Sequence, residues 1–399
     1  MRILHNLLAI AALGALSGCA SLSLYNKLPG NQKLLFAPME ERDKGFRAME
    51  NYGVVKLIAA GTAARPLPAG SPLVLPEGVE GYMTRQRMAG VIVLQHGKVR
   101  LEKYGLGFAA NGRWASFSMA KSITSALAGA ALRDGAIKSL DDKVTDYIPG
   151  LRGSVYDVVT VRQLLTMTSG VKWSENYSDP KSDVARFIIQ QPGPEGDATV
   201  SYMKTLTREA PPGSRWVYKT GESNLVGVLV SSATGKSLSE YLSEKIWKPF
   251  GMERDAIWFT DSSGHELGGC CISASLRDYA RFGQFMLDGA MAGGQPVVAD
   301  GWIEQATRPQ IRFGIGAGTN TGGNGYGYQW WAYGDGSYQA IGIFGQSIAI
   351  NPQRGLVITI VGNWPSATGS ASIRQDRAAF FRSVIAAVDA TGNGVVNLP

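Results

Sequence analysis

The sequence predicts a mixed α/β fold of the α+β kind. An antiparallel sheet, assembled from both ends of the chain and flanked by helices, carries an inserted, mainly helical domain. Three observations support this. Strand-like segments come early, in a hairpin over Met88–Tyr104, and return only after Gly325. The stretch from Leu140 to about Leu287 reads as a succession of helices. An unusually apolar helix, opening near Ser118, lies between the two. With 399 residues, 45% hydrophobic and 18% charged, the chain has material for a large core and no long low-complexity tract.

Taken in order, the chain begins with Arg2, an apolar run Leu7–Leu16 too short to span a bilayer comfortably, and Leu16-Ser17-Gly18-Cys19. This resembles the lipobox of bacterial lipoprotein signal peptides. The resemblance implies a signal peptide over 1–18, lipidation of Cys19 and a tether over 19–38. Ala20 after the cysteine implies an anchor in the outer membrane, facing the periplasm. Residues 39–139 and 325–399 are expected to form the sheet domain, and 140–324 the helical insert.

Asn51–Ile58 is apolar enough for a strand, and Arg65–Gly78, with four prolines, is a loop. Met88–Gln95 and Lys98–Tyr104 flank His96-Gly97, a hairpin turn that leaves His96 exposed. In the insert, helices are expected near Leu140–Gly150, Thr160–Gly170, Ser223–Ala233, Ser237–Trp247 and Ser275–Leu287, several opening on a capping Ser or Thr. Strands are then expected at Tyr326–Tyr333, Tyr338–Ile343, Gln346–Asn351 and Leu356–Asn363, with a closing amphipathic helix over Ser372–Val388.

The chemistry centres on Ser116-Phe117-Ser118-Met119-Ala120-Lys121-Ser122. On a helix Ser118 and Lys121, three apart, share a face. A buried lysine has a depressed pKa and can take the proton of a serine, while a helix start offers free N–H groups to an oxyanion. Ser-x-x-Lys recurs at Ser169/Lys172, Ser178/Lys181 and Ser201/Lys204, but only Ser118 opens a long apolar helix able to bury its lysine. The bland alternative is a helix-capping serine with a surface lysine.

Other classes find little support. His96 and His265 are isolated, and there is no Cys-x-x-Cys, so neither a metal nor a cofactor is expected. Adjacent Cys270 and Cys271 are expected to be two separate buried residues, since neighbouring cysteines pair only with strain. The net charge of +7 is scattered without a basic run, which argues against nucleic-acid binding. The sequence carries no signal of oligomeric state.

Five blocks together resemble the serine β-lactamase and penicillin-binding superfamily. They are Ser118-Met119-Ala120-Lys121, Leu140–Leu151, Leu164–Gly170, Pro211-Pro212-Gly213 ahead of Tyr218, and Gly342–Gln346. Within the superfamily the likeness is to the class C-like branch, nearest to its 6-aminohexanoate-dimer hydrolase and esterase members. The resemblance implies Ser118 as nucleophile, Lys121 and Tyr218 as proton-handling partners, and the N–H groups of Ser118 and Gln346 as oxyanion donors. It further implies substrate contacts from Thr220, Ile343, Phe344 and Gly345. Thr220 replaces an asparagine of the family's Tyr-x-Asn motif, and Ile343 replaces the lysine or histidine that grips a substrate carboxylate. Lys219-Thr220-Gly221 matches the family's Lys-Thr-Gly literally, but it abuts the second motif and precedes a helix, so it reads as a decoy.

Trp173 and Glu222 are candidates for the pocket lining, Glu222 being more readily a solvated helix-start carboxylate; Trp330-Trp331 reads as core or cleft wall. The activity implied is hydrolysis of small amides or esters. The alternatives are a β-lactamase or D-Ala-D-Ala peptidase acting at the cell wall, and a non-catalytic penicillin-binding or envelope interaction protein.

Overall fold

The computed structural model describes residues 30–312 and 323–391; the expected signal peptide, Cys19 and most of the tether lie outside them. The main sheet uses β1 (Met88–Gln95), β2 (Lys98–Tyr104), β3 (Ile311–Arg312), β4 (Gly325–Tyr326), β5 (Trp331–Ala332), β6 (Tyr338–Gly342), β7 (Gln346–Asn351) and β8 (Leu356–Gly362). Their order is β2-β1-β8-β7-β6-β5-β4-β3, antiparallel throughout, so the two chain ends meet where β1 pairs with β8.

Residues alternate between faces at period two. Val91 and Val93 of β1 and Ile358 and Ile360 of β8 pack with Phe380, Val384 and Val388 of the closing helix Ala371–Asp389. Ile92, Leu94, Val357 and Val361 belong instead to the large core that includes Phe282 and Phe285 of the helix Leu276–Leu287. With both faces covered, every residue of β1 and β8 is buried.

Four helices surround the sheet and the cleft beside it. α1 (Met119–Arg133) is buried from Met119 to Ala131, as its small and apolar residues allow. α2 (Thr220–Thr234) packs against it, α3 (Leu276–Leu287) covers one sheet face, and α4 (Ala371–Asp389) covers the other. Among the described residues no helix is long and apolar enough to cross a membrane.

Three expectations need correction. The strand Tyr326–Tyr333 is two short strands, because the chain turns at Gly327–Trp330, with Gln329 at a φ of 62°. α2 begins at Thr220 rather than Ser223, which puts Thr220 itself on the helix start. The insert bounded at 140–324 is not wholly helical. Its Ala256–Phe259 and Ile272–Ala274 join Val55–Ile58 and Trp114–Ala115 in a second, four-stranded sheet, and α3 lies on the main one. Val55–Ile58 falls within the expected Asn51–Ile58 strand, but the other three are two to four residues long and wholly buried, so they show no alternation by which the sequence could announce them.

Candidate active site

The strand Trp114–Ala115 hands the chain to α1 through Ser116 and Phe117. Ser116 is clamped to Ile272 in both directions, by its N–H at 2.7 Å and by its hydroxyl accepting at 3.0 Å. Phe117 takes a φ of 45°, in the left-handed region, and the next residue, Ser118, sits at the helix start without a side-chain capping bond. Its hydroxyl is instead 3.1 Å from Lys121 Nζ. Lys121 is 1% exposed, so the surface-lysine alternative fails.

Two further oxygens hold Lys121 Nζ: Gly269 O at 2.7 Å and Thr220 Oγ1 at 3.1 Å. The carbonyl can only accept. The Thr220 hydroxyl donates its own proton to Glu175, so it too accepts from the lysine. Both bonds therefore use N–H groups, and the position left on the nitrogen faces Ser118; in the neutral amine that position is a lone pair. Burial brings the Lys121 pKa down to about 8, with Glu175 pulling the other way, so the neutral amine is populated near neutral pH.

Tyr218 lines the same cavity as Ser118, and its ring lies 5.2 Å from Lys121 Nζ. Trp331 stacks on that ring at 5.7 Å and 19°, while Trp330 is fully buried. Burial raises the Tyr218 hydroxyl far above its ordinary pKa, with the Glu175 charge adding to it.

The sheet supplies the opposite wall. Gly342, at the end of β6, runs so close to α1 that a Cβ there would sit 2.4 Å from Ser116 O. This approach brings Ile343 beside Ser118. Neither the Ser118 N–H nor the Ile343 N–H has a hydrogen-bond acceptor among the described residues.

The β-lactamase family model matches residues 77–381. The chain belongs to the β-lactamase family. It is 32% identical over 285 residues, 69% of this chain and 72% of the relative, to the 6-aminohexanoate-dimer hydrolase of Paenarthrobacter ureafaciens. The fold is shared with a Bacillus anthracis protein carrying the 6-aminohexanoate-dimer hydrolase name, at TM-score 0.75 and 22% identity over 86% of this chain and 93% of that one. It is shared also with EstCE1, a hydrolase with promiscuous acyltransferase activity, at TM-score 0.61 and 15% identity over 76% and 97%. The protein is thus a β-lactamase-fold hydrolase, similar in sequence to a 6-aminohexanoate-dimer hydrolase and in fold to EstCE1.

In this β-lactamase-family hydrolase Ser118 and Ile343 both line two cavities. The smaller, about 370 Å³, is mostly apolar, walled by Phe117, Val184, Phe187 and Phe259 with Thr220 and Asn224 at its polar side. The larger, about 630 Å³, is walled by Trp216, Tyr218, Trp331 and Trp364, with Glu175 and three arginines of α4 as its charges.

Several expected site residues stand elsewhere. Gln346 is not beside Ser118. It pairs with Gly342 in the ladder, its amide is tied to Gly362 at 2.8 and 2.9 Å, and it lines neither cavity. The close approach comes at Gly342, not Gly345, because the chain leaves β6 there and turns through Phe344 and Gly345, at φ 61° and 95°. Phe344 faces the interior, 5.3 Å from Phe46 and 5.4 Å from Phe117. Gly345 lies under Trp364, and Trp173 packs edge-on against Phe187 and Tyr202; neither lines either of these two cavities.

Glu222 is no solvated carboxylate. It is fully buried, accepts from Ser169 and Tyr156, and lies 3.8 Å from the equally buried Lys219. Burial raises its pKa. The Lys219-Thr220-Gly221 run thus serves as internal bracing, apart from the Thr220 hydroxyl. Cys270 and Cys271 are joined as a disulfide at the wall of the smaller cavity, against the expectation of two separate residues. Cys271 holds a left-handed φ of 75°, which turns the two side chains together.

Glu175 is the residue of the candidate site that sequence reasoning misses. It accepts from Trp173 Nε1, Thr220 N, Thr220 Oγ1 and Tyr177 OH, and so orients the hydroxyl that holds Lys121. The only hint is Trp173-x-Glu175-x-Tyr177, in which an extended chain places all three side chains on one side.

Proposed function

We propose that the protein is a Ser-x-x-Lys serine hydrolase that cleaves small linear amides or esters through an acyl-enzyme on Ser118. The observation that carries this reading is the 3.1 Å contact between Ser118 Oγ and a wholly buried Lys121 whose other two bonds are fixed by acceptors. Ser118 attacks the carbonyl carbon and its proton passes to Lys121. Tyr218, coupled to both, relays a proton to the leaving nitrogen or oxygen. The N–H groups of Ser118 and Ile343 receive the oxyanion. The leaving group departs, and water, deprotonated by the same pair, releases the acid.

Support for the substrate class comes from the 6-aminohexanoate-dimer hydrolase relative and from the replacement of the family's asparagine by Thr220. The cell-wall reading, β-lactamase or D-Ala-D-Ala peptidase, draws on the family itself and on the proposed location. A lipid anchor on Cys19 rests on Arg2, the apolar run Leu7–Leu16 and Leu16-Ser17-Gly18-Cys19, and its placement at the outer membrane, periplasmic side, on Ala20; labelling with a radioactive fatty acid, lost in Cys19→Ala, tests the anchor.

The deciding experiment is intact-protein mass after a fluorophosphonate, with Ser118→Ala alongside. One adduct on wild type, absent in the variant, is expected; an unmodified wild type overturns the nucleophile assignment. Turnover of short-chain p-nitrophenyl esters or of the 6-aminohexanoate linear dimer separates this reading from the cell-wall one, which expects fast nitrocefin hydrolysis.

A further inference from the structure

The disulfide between Cys270 and Cys271 stands one residue from an acceptor that holds Lys121. Gly269 O takes Lys121 Nζ at 2.7 Å, and the Gly269 N–H is held by Asn224 Oδ1 at 2.7 Å. Gly268 and Gly269 run between α1 and α2 in a slot that admits no side chain. A Cβ on Gly268 would lie 2.8 Å from Ser223 O, and one on Gly269 would lie 3.0 Å from Thr220 O. The Thr124 hydroxyl donates to Gly268 O at 2.7 Å.

On the far side of the disulfide the chain is fixed as well. Cys271 O accepts from the Phe259 N–H at 3.1 Å, and Ile272 pairs with Trp258 and is clamped to Ser116. Between these anchors lie only Cys270 and Cys271, and Cys271 holds a φ of 75°, where a residue bearing a Cβ is disfavoured. Relaxation of that φ turns the N–Cα bond of Cys271. With the Cys271 carbonyl and Ile272 pinned to buried strands, the turn swings Cys270 and Gly269 instead. Cys270 resists weakly. Its N–H stays within its own turn, on Leu267 O at 3.0 Å, and its carbonyl shares the Trp258 indole N–H with Leu267 O, both at 2.9 Å. The disulfide closes a ring across this peptide and blocks the turn.

We propose that the Cys270–Cys271 disulfide is a positioning element for Lys121: it keeps Gly269 O on the amine, and its reduction by a dithiol lets that carbonyl withdraw and slows acylation. The proposal rests on the hydrolase reading. Lys121 would then keep the Thr220 hydroxyl alone as a fixed acceptor, and its remaining position would no longer be aimed at Ser118. Cys270 is half-buried in the wall of the cavity that Ser118 also lines, within reach of a small dithiol. One thiolate of the dithiol attacks Cys270 Sγ and Cys271 leaves as a thiolate. The second thiolate then attacks the mixed disulfide, so the dithiol ends as its own disulfide and two electrons and two protons pass to the protein.

The experiment measures kcat and KM for a p-nitrophenyl ester on the full chain before and after dithiothreitol, with the new thiols on Cys270 and Cys271 verified by alkylation and mass. Reduction is expected to lower kcat by about tenfold to 10²-fold, the scale of a misplaced catalytic group, with KM little changed and the rate recovered on reoxidation. Two variants need no reductant. Cys270→Ala/Cys271→Ala should show the same loss, and Cys270→Ala/Cys271→Gly should recover most of it, because glycine holds a positive φ unaided. A disulfide that serves stability alone lowers Tm in both variants and leaves kcat per fluorophosphonate-reactive site unchanged. That result overturns the proposal, as does full kcat in the reduced wild type.

Should the untreated protein turn over no ester, it is the hydrolase reading that has failed, and the NMR signal of Lys121 Cε in lysine-labelled protein decides the contact alone. Assigned by its absence from Lys121→Met, that signal is expected to shift on reduction as Gly269 O leaves. Coincident signals in the oxidised and reduced protein overturn the proposal.

Discussion

Lys121 and Lys219 are both withdrawn from solvent, at 1% and 0% exposure, and both lie against the start of α2, yet they are built for different work. Lys219 has a carboxylate of its own, Glu222 at 3.8 Å, itself held by Ser169 and Tyr156. Lys121 has only neutral oxygens in contact, and the nearest acidic influence, Glu175, reaches it through the Thr220 hydroxyl. A buried lysine with a private counter-ion is a strut. One that lacks it surrenders its proton more readily and can act as a base.

The comparison breaks most sharply at Lys121. Lys121→Met is expected to lower the rate of acylation by about 10²–10⁴-fold, the usual worth of a general base, while the Tm holds or rises. A variant that keeps fluorophosphonate reactivity would remove lysine from the mechanism. Gly342→Ala comes next, since its Cβ collides with Ser116 O and must push Ile343 away from Ser118. Loss of an oxyanion donor costs about 10²–10³ in kcat, against little change in KM.

Lys219→Met should show the opposite pattern. Stranding Glu222 costs about 3–5 kcal/mol of stability in a denaturant titration, and the double variant Lys219→Met/Glu222→Leu should recover most of it. A single variant as stable as wild type would show that the pair is not a brace.

The smallest effect sharpens the contrast most. kcat/KM should rise with pH through about 8 as Lys121 loses its proton. Glu175 favours the ammonium form, so Glu175→Gln should shift that limb to lower pH; a shift to higher pH, or none, would contradict its assigned influence.

Legibility in the sequence follows the range of the forces involved. The Ser118–Lys121 pairing is readable because three residues on a helix share a face whatever surrounds them, and the run to Leu132 announces that this face is buried. The strands at Met88–Tyr104 and Gln346–Gly362 are readable from apolar runs bounded by turns. Glu222 misleads because a carboxylate in the first turn of a helix looks solvated until Lys219, Tyr156 and Ser169 are seen around it. Gln346 misleads because the turn at Phe344 and Gly345 is set by packing against Phe46, Phe117 and Trp364, none of which is near in sequence.

By itself, then, the sequence determined the local devices: the apolar helix that opens at Ser118, the hairpin, the caps and the division into sheet-forming ends and a helix-rich middle. Helical and strand periodicities depend on a residue's near neighbours, and those are written in order. Only the tertiary structure decided which N–H lies free beside Ser118, which carboxylate steadies Lys121, and that α4 brings arginines to the same cleft. Those partners are separated by dozens to hundreds of residues, and they meet because α2 packs on α1 and because β1 and β8 zip the two ends of the chain into one sheet.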